Sequence, residues 1–232
     1  MSDEEIKARA EAWARTNKKA FAKALTDIQR YPGEKCPVSV FMAGSPGAGK
    51  TESSKAFSEE LGDGFVRIDP DDFREKLPGY TGANSWLFQG AVSILLSRVL
   101  DTVFDQRQSF LLDGTLSNLA QATANVERAL KKGRTVLIMY VYQEPAQAWA
   151  FVKAREAIEG RKIPPDRFVE QFFGAHNVVN ELKVKFAAQI QIDVIVKDID
   201  GKNRRYMANV SDLKVAVPIP YSYEQIMKVV SS

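Results

Sequence analysis

Residues 38–51 read Val-Ser-Val-Phe-Met-Ala-Gly-Ser-Pro-Gly-Ala-Gly-Lys-Thr, a short apolar run that leads directly into a glycine-rich segment. An apolar run without alternation predicts a β-strand that is buried on both faces of a sheet. The residues that follow match the pattern G-x-x-x-x-G-K-[ST] in full, from Gly44 to Thr51. A strand, a glycine-rich turn and a helix in this order predict a loop that binds phosphate.

The glycine-rich segment indicates how a nucleotide would be held. Glycines let successive backbone N–H groups turn toward an anion, where a Cβ would intrude. We expect the Lys50 amine to reach the β- and γ-phosphates and the Thr51 hydroxyl to hold Mg²⁺. The predicted nucleotide-binding residues are Gly44, Ser45, Pro46, Gly47, Ala48, Gly49, Lys50 and Thr51. The expected cofactors are therefore ATP or GTP, with Mg²⁺.

Strand and helix patterns alternate along the rest of the chain. Further strands are predicted at 65–68, 109–112, 135–142, 192–196 and 205–210, and helices at 50–61, about 84–106, 116–132 and 223–230. The two late strands flank a predicted turn at Asp200-Gly201. This order predicts an α/β fold, a P-loop kinase-like parallel sheet with helices on both faces and a helical lid.

The whole chain, 1–232, is expected to form a single domain of this kind. We expect an N-terminal helix over 3–30, a core over 36–144, a helical lid region over about 145–175 and C-terminal elements over 176–232. The lid is predicted from a charged helical segment that Gly160 and Pro164-Pro165 interrupt.

The composition is that of a soluble globular protein, with 45% hydrophobic and 26% charged residues. A net charge of +3 is too small to indicate nucleic-acid or membrane binding. The single cysteine excludes an internal disulfide framework. The sequence predicts no apolar run of membrane-spanning length and no secretory signal at the charged amino terminus, so a cytoplasmic protein is expected.

A phosphate loop of this kind serves GTPases, motor ATPases and kinases. GTPases usually carry an Asn-Lys-x-Asp motif on a late strand, whereas the only Asn-Lys pair here is Asn17-Lys18 on the first helix. Small-molecule kinases place a carboxylate after the second strand, where it can accept the proton of the acceptor hydroxyl. Asp69, Asp71 and Asp72 occupy that position. The alternative for such a cluster is a helix N-cap, but three carboxylates beside a phosphate loop favour a functional site.

Two further segments are candidates for the same site. Asp113 follows the third strand, where it could hold Mg²⁺ through water or grip an acceptor hydroxyl, and Thr115 could donate to the acceptor; a strand-end turn explains this segment equally well. Arg155 and Arg161 flank Gly160 in the predicted lid. Arginines that a closing lid brings in can stabilise the transferring phosphoryl group.

In this order, these segments resemble the zeta toxin family, kinases that phosphorylate UDP-N-acetylglucosamine and related sugar nucleotides. The resemblance covers roughly residues 36–200 and includes the residues 77–80, Leu-Pro-Gly-Tyr, behind the aspartates. It implies that Asp71 is the catalytic base, and that Lys50, Arg155 and Arg161 stabilise the transferring phosphate. The substrate-binding residues would be Asp69, Arg74, Asp113 and Thr115, and the metal ligands Thr51 and Asp113.

The chain departs from the family pattern in one segment. The family commonly has Glu-Gly-Thr followed two residues later by Arg, whereas this chain has Asp113 and then Ser117. The acceptor therefore stays open among a different nucleotide sugar, another small hydroxyl compound and a nucleic-acid 5′ end. A non-catalytic nucleotide-binding module also stays open as an alternative to a kinase. The resemblance also implies an antitoxin protein as a partner. The sequence lacks a basic stripe with interleaved aromatic residues, which argues against nucleic acid as a substrate.

Overall fold

The computed structural model describes residues 1–160, 162–198 and 204–231. Its centre is a sheet of six strands, β1 (Val38–Ala43), β2 (Phe65–Ile68), β3 (Ser109–Leu112), β4 (Thr135–Tyr142), β5 (Gln191–Lys197) and β6 (Arg204–Met207). The strands lie in the order β2-β3-β1-β4-β5-β6. The first five are parallel, and β6 pairs with β5 in the antiparallel direction. The predicted parallel α/β fold is confirmed, with one antiparallel strand at its edge.

Nine α-helices connect and cover these strands in the described part of the chain. They are α1 (Asp3–Leu25), α2 (Lys50–Leu61), α3 (Pro70–Arg74), α4 (Gln89–Asp105), α5 (Leu119–Lys131), α6 (Pro145–Glu159), α7 (Pro165–Phe186), α8 (Leu213–Ala216) and α9 (Tyr223–Ser231). Short 3₁₀ turns lie at Gly62–Gly64, Ser85–Phe88 and Ala187–Gln189.

The two faces of the sheet contact different sets of helices. Along β1, Phe41 and Ala43 belong to the larger core, which also contains buried residues of α1, α4, α5 and α7. Val40 and Met42 belong to a smaller core on the other face, against which Phe57 of α2 packs. Because successive side chains of a strand point to opposite faces, a wholly apolar strand is what a sheet covered on both sides requires.

Helix α1 is an integral part of the domain. Its side chains at Ala10, Ala14 and Ala22 are fully buried, and small residues allow two helices to approach closely. The helix packs along α4 and ends at Leu25, earlier than the predicted 30. It ends there because Thr26 has a φ of −112° and a ψ of 38°, outside the helical region.

Two other helix starts differ from the prediction. Helix α5 begins at Leu119 and not at 116, because Leu116 has a φ of 52°, outside the helical region, and the Asn118 side chain caps the helix by accepting from Gln121 N at 3.0 Å. The predicted helix at about 84–106 begins as the 3₁₀ turn Ser85–Phe88 before α4.

The predicted lid region of 145–175 contains two helices with different surroundings. Much of α7 is core, because Phe168, Val169 and Phe172 are buried. In α6, by contrast, the C-terminal half from Lys153 is largely exposed. Among the described residues of this region, those exposed enough to serve as a lid therefore lie in the second half of α6.

The prediction that no apolar run reaches membrane-spanning length is corrected by one stretch, Ser85–Asp105, which is long and apolar enough by length and composition. Its mean hydropathy reaches 1.4. Leu95, Val99 and Val103 in this stretch are buried against the rest of the protein. The apolar character of α4 is therefore explained by its position in the core.

Candidate functional site

The glycine-rich segment 44–51, named here the phosphate loop, lies at the carboxyl edge of the sheet. It follows β1, which lies between β3 and β4, where consecutive connections run to opposite sides of the sheet. In parallel α/β sheets, such a point forms a crevice that binds ligands. The backbone N–H of Gly44 donates to the Thr115 carbonyl at 3.2 Å, so the loop contacts the segment after β3 directly.

Lys50 lies against the phosphate loop itself. Its Nζ donates to the carbonyl oxygens of Gly44 at 3.0 Å and Ser45 at 2.6 Å. Burial lowers the pKa of Lys50 to about 8, although the charges of Asp113 and Asp71 oppose this shift. The amine is therefore held in the loop where a phosphate would replace the carbonyls as its partner.

Helix α6 packs on the phosphate loop at Gly47, which has a φ of 71°. A Cβ at this position would overlap the carbonyl oxygen of Ala148. It would also lie 2.9 Å from the carbonyl carbon of Ala148 and 3.1 Å from Val152 Cγ2. Only glycine therefore fits the loop and permits this approach of α6. The N-terminal half of α6 is fixed to the loop, and its C-terminal half extends past it.

Asp69 acts as the N-cap of α3, with its side chain accepting from Asp71 N at 3.0 Å. The capping alternative is thus what the structure shows for this carboxylate. Burial, together with the charges of Asp113, Asp71 and Asp72, raises the pKa of Asp69 to about 6. Asp69 is therefore part of a dense cluster of carboxylates, although its side chain has a structural task.

Asp71, on the first turn of α3, lies between two arginines. Its Oδ1 accepts from Arg74 Nη1, and its Oδ2 lies 3.8 Å from Arg155 Nη2. Arg74 also donates to Gln89 Oε1 at 3.3 Å, which places its guanidinium on Asp71 and α4. Arg155 forms a second ion pair with Glu159 at 2.8 Å. Burial alone would lower the pKa of Arg155, but the charges of Glu159, Asp71 and Asp69 outweigh it and raise that pKa.

Asp113 is buried at the end of β3. Its Oδ2 accepts from the Ser54 hydroxyl at 2.8 Å and from Arg67 Nη2 at 2.9 Å. These partners leave Oδ1 for another ligand. Thr115 lies beyond it, with its Oγ1 3.1 Å from Ser117 Oγ.

The residues at the phosphate loop fit a Mg²⁺ ion that is bound mainly by phosphate oxygens. Among the described residues, no group of three histidine, cysteine or carboxylate side chains is arranged to hold a metal alone. Mg²⁺ in nucleotide sites usually takes one or two protein oxygens and completes its shell with phosphates and water. The Thr51 hydroxyl and Asp113 Oδ1 match that requirement.

Of the other predicted features, Arg161 and the turn at Asp200-Gly201 lie outside the described residues. The structure adds three residues that the sequence did not single out. Arg67 and Ser54 both donate to Asp113. The buried Lys197 approaches Gly49, because its Nζ would lie 3.0 Å from a Cβ placed on that glycine. The sequence did offer a signal for Arg67, because it is a charged residue inside a short, otherwise apolar strand that leads to the aspartates.

The comparisons with known proteins agree with this fold. One match is a chain from the PezAT chromosomal toxin–antitoxin system of the human pathogen Streptococcus pneumoniae, at 17% identity and a TM-score of 0.67. The match covers 92% of this chain and 93% of that one. A chain of the complex of AvrRxo1-ORF1 with ORF2, solved with ATP, matches at 16% identity and a TM-score of 0.58, covering 96% of this chain and 71% of that one.

A third structure, the Pnkp1/Rnl/Hen1 RNA repair complex, matches 78% of this chain and 51% of the other at 17% identity and a TM-score of 0.54. At these identities the matches show the fold alone. No curated protein matches the chain by sequence.

The model of the zeta toxin family matches residues 22–211, which is most of the chain. That match includes the phosphate loop, the three aspartates after β2, Asp113 and Arg155. Family and fold together support a nucleotide-binding kinase. The chain belongs to the zeta toxin family.

Proposed function

We propose that this protein transfers the γ-phosphate of ATP or GTP to a hydroxyl group of a nucleotide sugar such as UDP-N-acetylglucosamine. The observation that carries the proposal is the convergence of Asp71, Arg155 and Lys50. Arg155 Nη2 lies 3.8 Å from Asp71 Oδ2, and the charges of both groups act on the Lys50 amine. The proposed base, the exposed Arg155 cation and the cation of the phosphate loop are thus close enough for their charges to interact.

In the proposed reaction, the Asp71 carboxylate accepts the proton of the acceptor hydroxyl as its oxygen forms a bond to the γ-phosphorus. The bond from that phosphorus to the β-phosphate oxygen breaks, and the nucleoside diphosphate leaves. Lys50 and the backbone N–H groups of the loop hold the β- and γ-phosphates. Bound Mg²⁺ supplies charge neutralisation, and Thr51 and Asp113 would hold it.

Arg155 has to change partners for this role. In the structure it binds Glu159 and lies near Asp71, with 47% of its side chain exposed. A charged γ-phosphate in the crevice offers a stronger, bidentate partner than an exposed glutamate. We infer that Arg155 moves from Glu159 to the transferring phosphoryl group, and Arg161 is proposed to assist it.

The acceptor is proposed to bind between Asp113, Thr115 and α3. Thr115 and Ser117 form a pair of hydroxyls beside the phosphate loop, and they suit the polar groups of a sugar. Asp69 and Arg74 lie in the same region, but Asp69 caps α3 and accepts from Arg67, and Arg74 donates to Asp71 and Gln89. Their effect on the acceptor is therefore proposed to be indirect, through the position of Asp71.

An antitoxin protein is proposed as a partner, supported by family membership and by the fold shared with a chain of the PezAT toxin–antitoxin system. Growth arrest is the proposed cellular effect. Expression of the parent chain should then arrest growth, whereas expression of an Asp71→Asn chain should not.

The direct experiment is a transfer assay with γ-labelled ATP or GTP, Mg²⁺ and a panel of UDP-sugars, with a 5′-hydroxyl oligonucleotide and small sugar alcohols as other acceptors. The proposal expects label in a nucleotide sugar. Label in the oligonucleotide or in a small alcohol would replace the proposed acceptor, and transfer to none of them would refute transfer to a nucleotide sugar.

A further inference from the structure

Arg67, on β2, connects the carboxylates at the carboxyl edge of the sheet. Its Nη2 donates to Asp69 Oδ2 at 2.7 Å and to Asp113 Oδ2 at 2.9 Å, and its Nη1 donates to Asp72 Oδ2 at 3.3 Å. The side chain is 20% exposed, and those of Asp69 and Asp113 are 9% and 4% exposed. One guanidinium thus joins the start of α3 to the end of β3.

The same guanidinium also reaches helix α2. Arg67 Nε donates to Ser54 Oγ at 3.1 Å, and the Ser54 hydroxyl donates to Asp113 Oδ2 at 2.8 Å. Ser54 lies one turn after Thr51 on the helix that the phosphate loop begins. Arg67 therefore ties together the three segments that carry Thr51, Asp71 and Asp113.

This arrangement needs the shape of an arginine. Two buried carboxylates that face one another repel, and a cation between them relieves the repulsion. A guanidinium presents several N–H donors in a fixed plane and binds four acceptors here, whereas a lysine amine is a single point charge on a flexible chain. Burial alone would lower the pKa of Arg67, but the charges of Asp69 and Asp113 raise it.

We propose that Arg67 is a positioning residue for phosphoryl transfer. It holds Asp113 by Oδ2, so that Oδ1 would be left to bind Mg²⁺, and it holds the Asp69 cap, so that α3 keeps Asp71 at a fixed distance from the phosphate loop. This inference rests on the proposed function. It assigns Arg67 no contact with either substrate.

The test compares Arg67→Met and Arg67→Lys with the control Arg128→Met. Arg128 forms an ion pair with Asp101 at 2.7 Å between α5 and α4, so the control also removes a partly buried ion pair. Each variant is measured for thermal unfolding, for binding of a non-hydrolysable ATP analogue with and without Mg²⁺, and for kcat and KM.

We expect Arg67→Met to lose the tightening of nucleotide binding by Mg²⁺ while binding without Mg²⁺ stays close to that of the parent. Its kcat should fall by about 100-fold, the usual effect of a small misplacement of reacting groups, with little change in the nucleotide KM. Arg67→Lys should recover part of the Mg²⁺ effect, and Arg128→Met should match the parent.

The inference is overturned if Arg67→Met matches Arg128→Met both in kcat and in the tightening of nucleotide binding by Mg²⁺. If Arg67→Met does not fold, Arg67→Lys decides, because parental kcat and Mg²⁺ dependence in that variant also overturn it. If the parent transfers phosphate to no acceptor, the proposed function fails, whereas the Mg²⁺-dependent binding of the analogue still tests Arg67.

Discussion

Arg155 Nη2 on α6 lies 3.8 Å from Asp71 Oδ2 on α3, so the two helices meet across the crevice at the phosphate loop. The side chains are 47% and 36% exposed, and neither is fixed by burial. An ion pair at such exposure contributes little to stability. Its value lies in placing a movable cation beside the proposed base before nucleotide binds.

The Arg155→Gln variant should lose phosphate transfer with little loss of nucleotide binding. Removing one preorganised donor to a transition state typically lowers kcat by about 100- to 1,000-fold. Rapid-quench assays of transfer and titration with a fluorescent nucleotide measure the two effects. Arg167→Gln is the control, since Arg167 forms an exposed pair with Glu170 at 2.8 Å on α7. Equal kcat values in the two variants would rule out a role for Arg155 in the transition state.

Nucleotide affinity should fall as the pH rises from 7 to 9. Burial lowers the pKa of Lys50 to about 8 in the free protein, so the amine loses its charge over this range. The bound triphosphate favours the charged amine, so binding above the free-protein pKa takes up a proton, and Kd should rise by about tenfold per pH unit well above that pKa.

Calorimetry in buffers of different ionisation enthalpy measures this proton uptake. The Lys50→Met variant should bind more weakly and lose the pH dependence. A pH dependence that persists unchanged in Lys50→Met would assign it to another group.

The Gly47→Ala variant should bind nucleotide poorly. The new Cβ would overlap the Ala148 carbonyl, so α6 or the phosphate loop has to move. Gly133→Ala is a matched control, because its φ of 66° carries the same backbone strain, about 1–2 kcal/mol, with no heavy atom within 4 Å of the Cβ. Both variants should lose thermal stability, but only Gly47→Ala should lose nucleotide affinity. Equal affinities would show that the contact of α6 with the loop does not shape the site.

The strands and the phosphate loop could be predicted from the sequence because each has a strong local signal. The first four strands are short runs made mostly of apolar residues, and their predicted bounds match the structure. The end of α1 and the start of α5 could not be predicted, because they depend on the non-helical backbone angles of Thr26 and Leu116.

The site could be predicted only as a set of segments. The sequence indicated that Asp69, Asp71 and Asp72 lie at a strand end, but it could not divide their tasks. That division depends on Arg67 and Arg74, since Arg67 binds Asp69 and Asp72 whereas Arg74 binds Asp71. Contacts between separate strands and helices of this kind leave no local pattern.

The Asp71→Asn variant tests the central claim most directly, in a single-turnover measurement of phosphate transfer with parallel nucleotide binding. Asp72→Asn is the matched control, because it removes a neighbouring charge whose side chain is 67% exposed. We expect Asp71→Asn to bind nucleotide like the parent and to transfer phosphate at least about 100-fold more slowly, the effect of losing a general base. Asp72→Asn should stay within about fivefold of the parent, as exposed ion pairs contribute little. Transfer by Asp71→Asn at the rate of Asp72→Asn would contradict the assignment of Asp71 as the base.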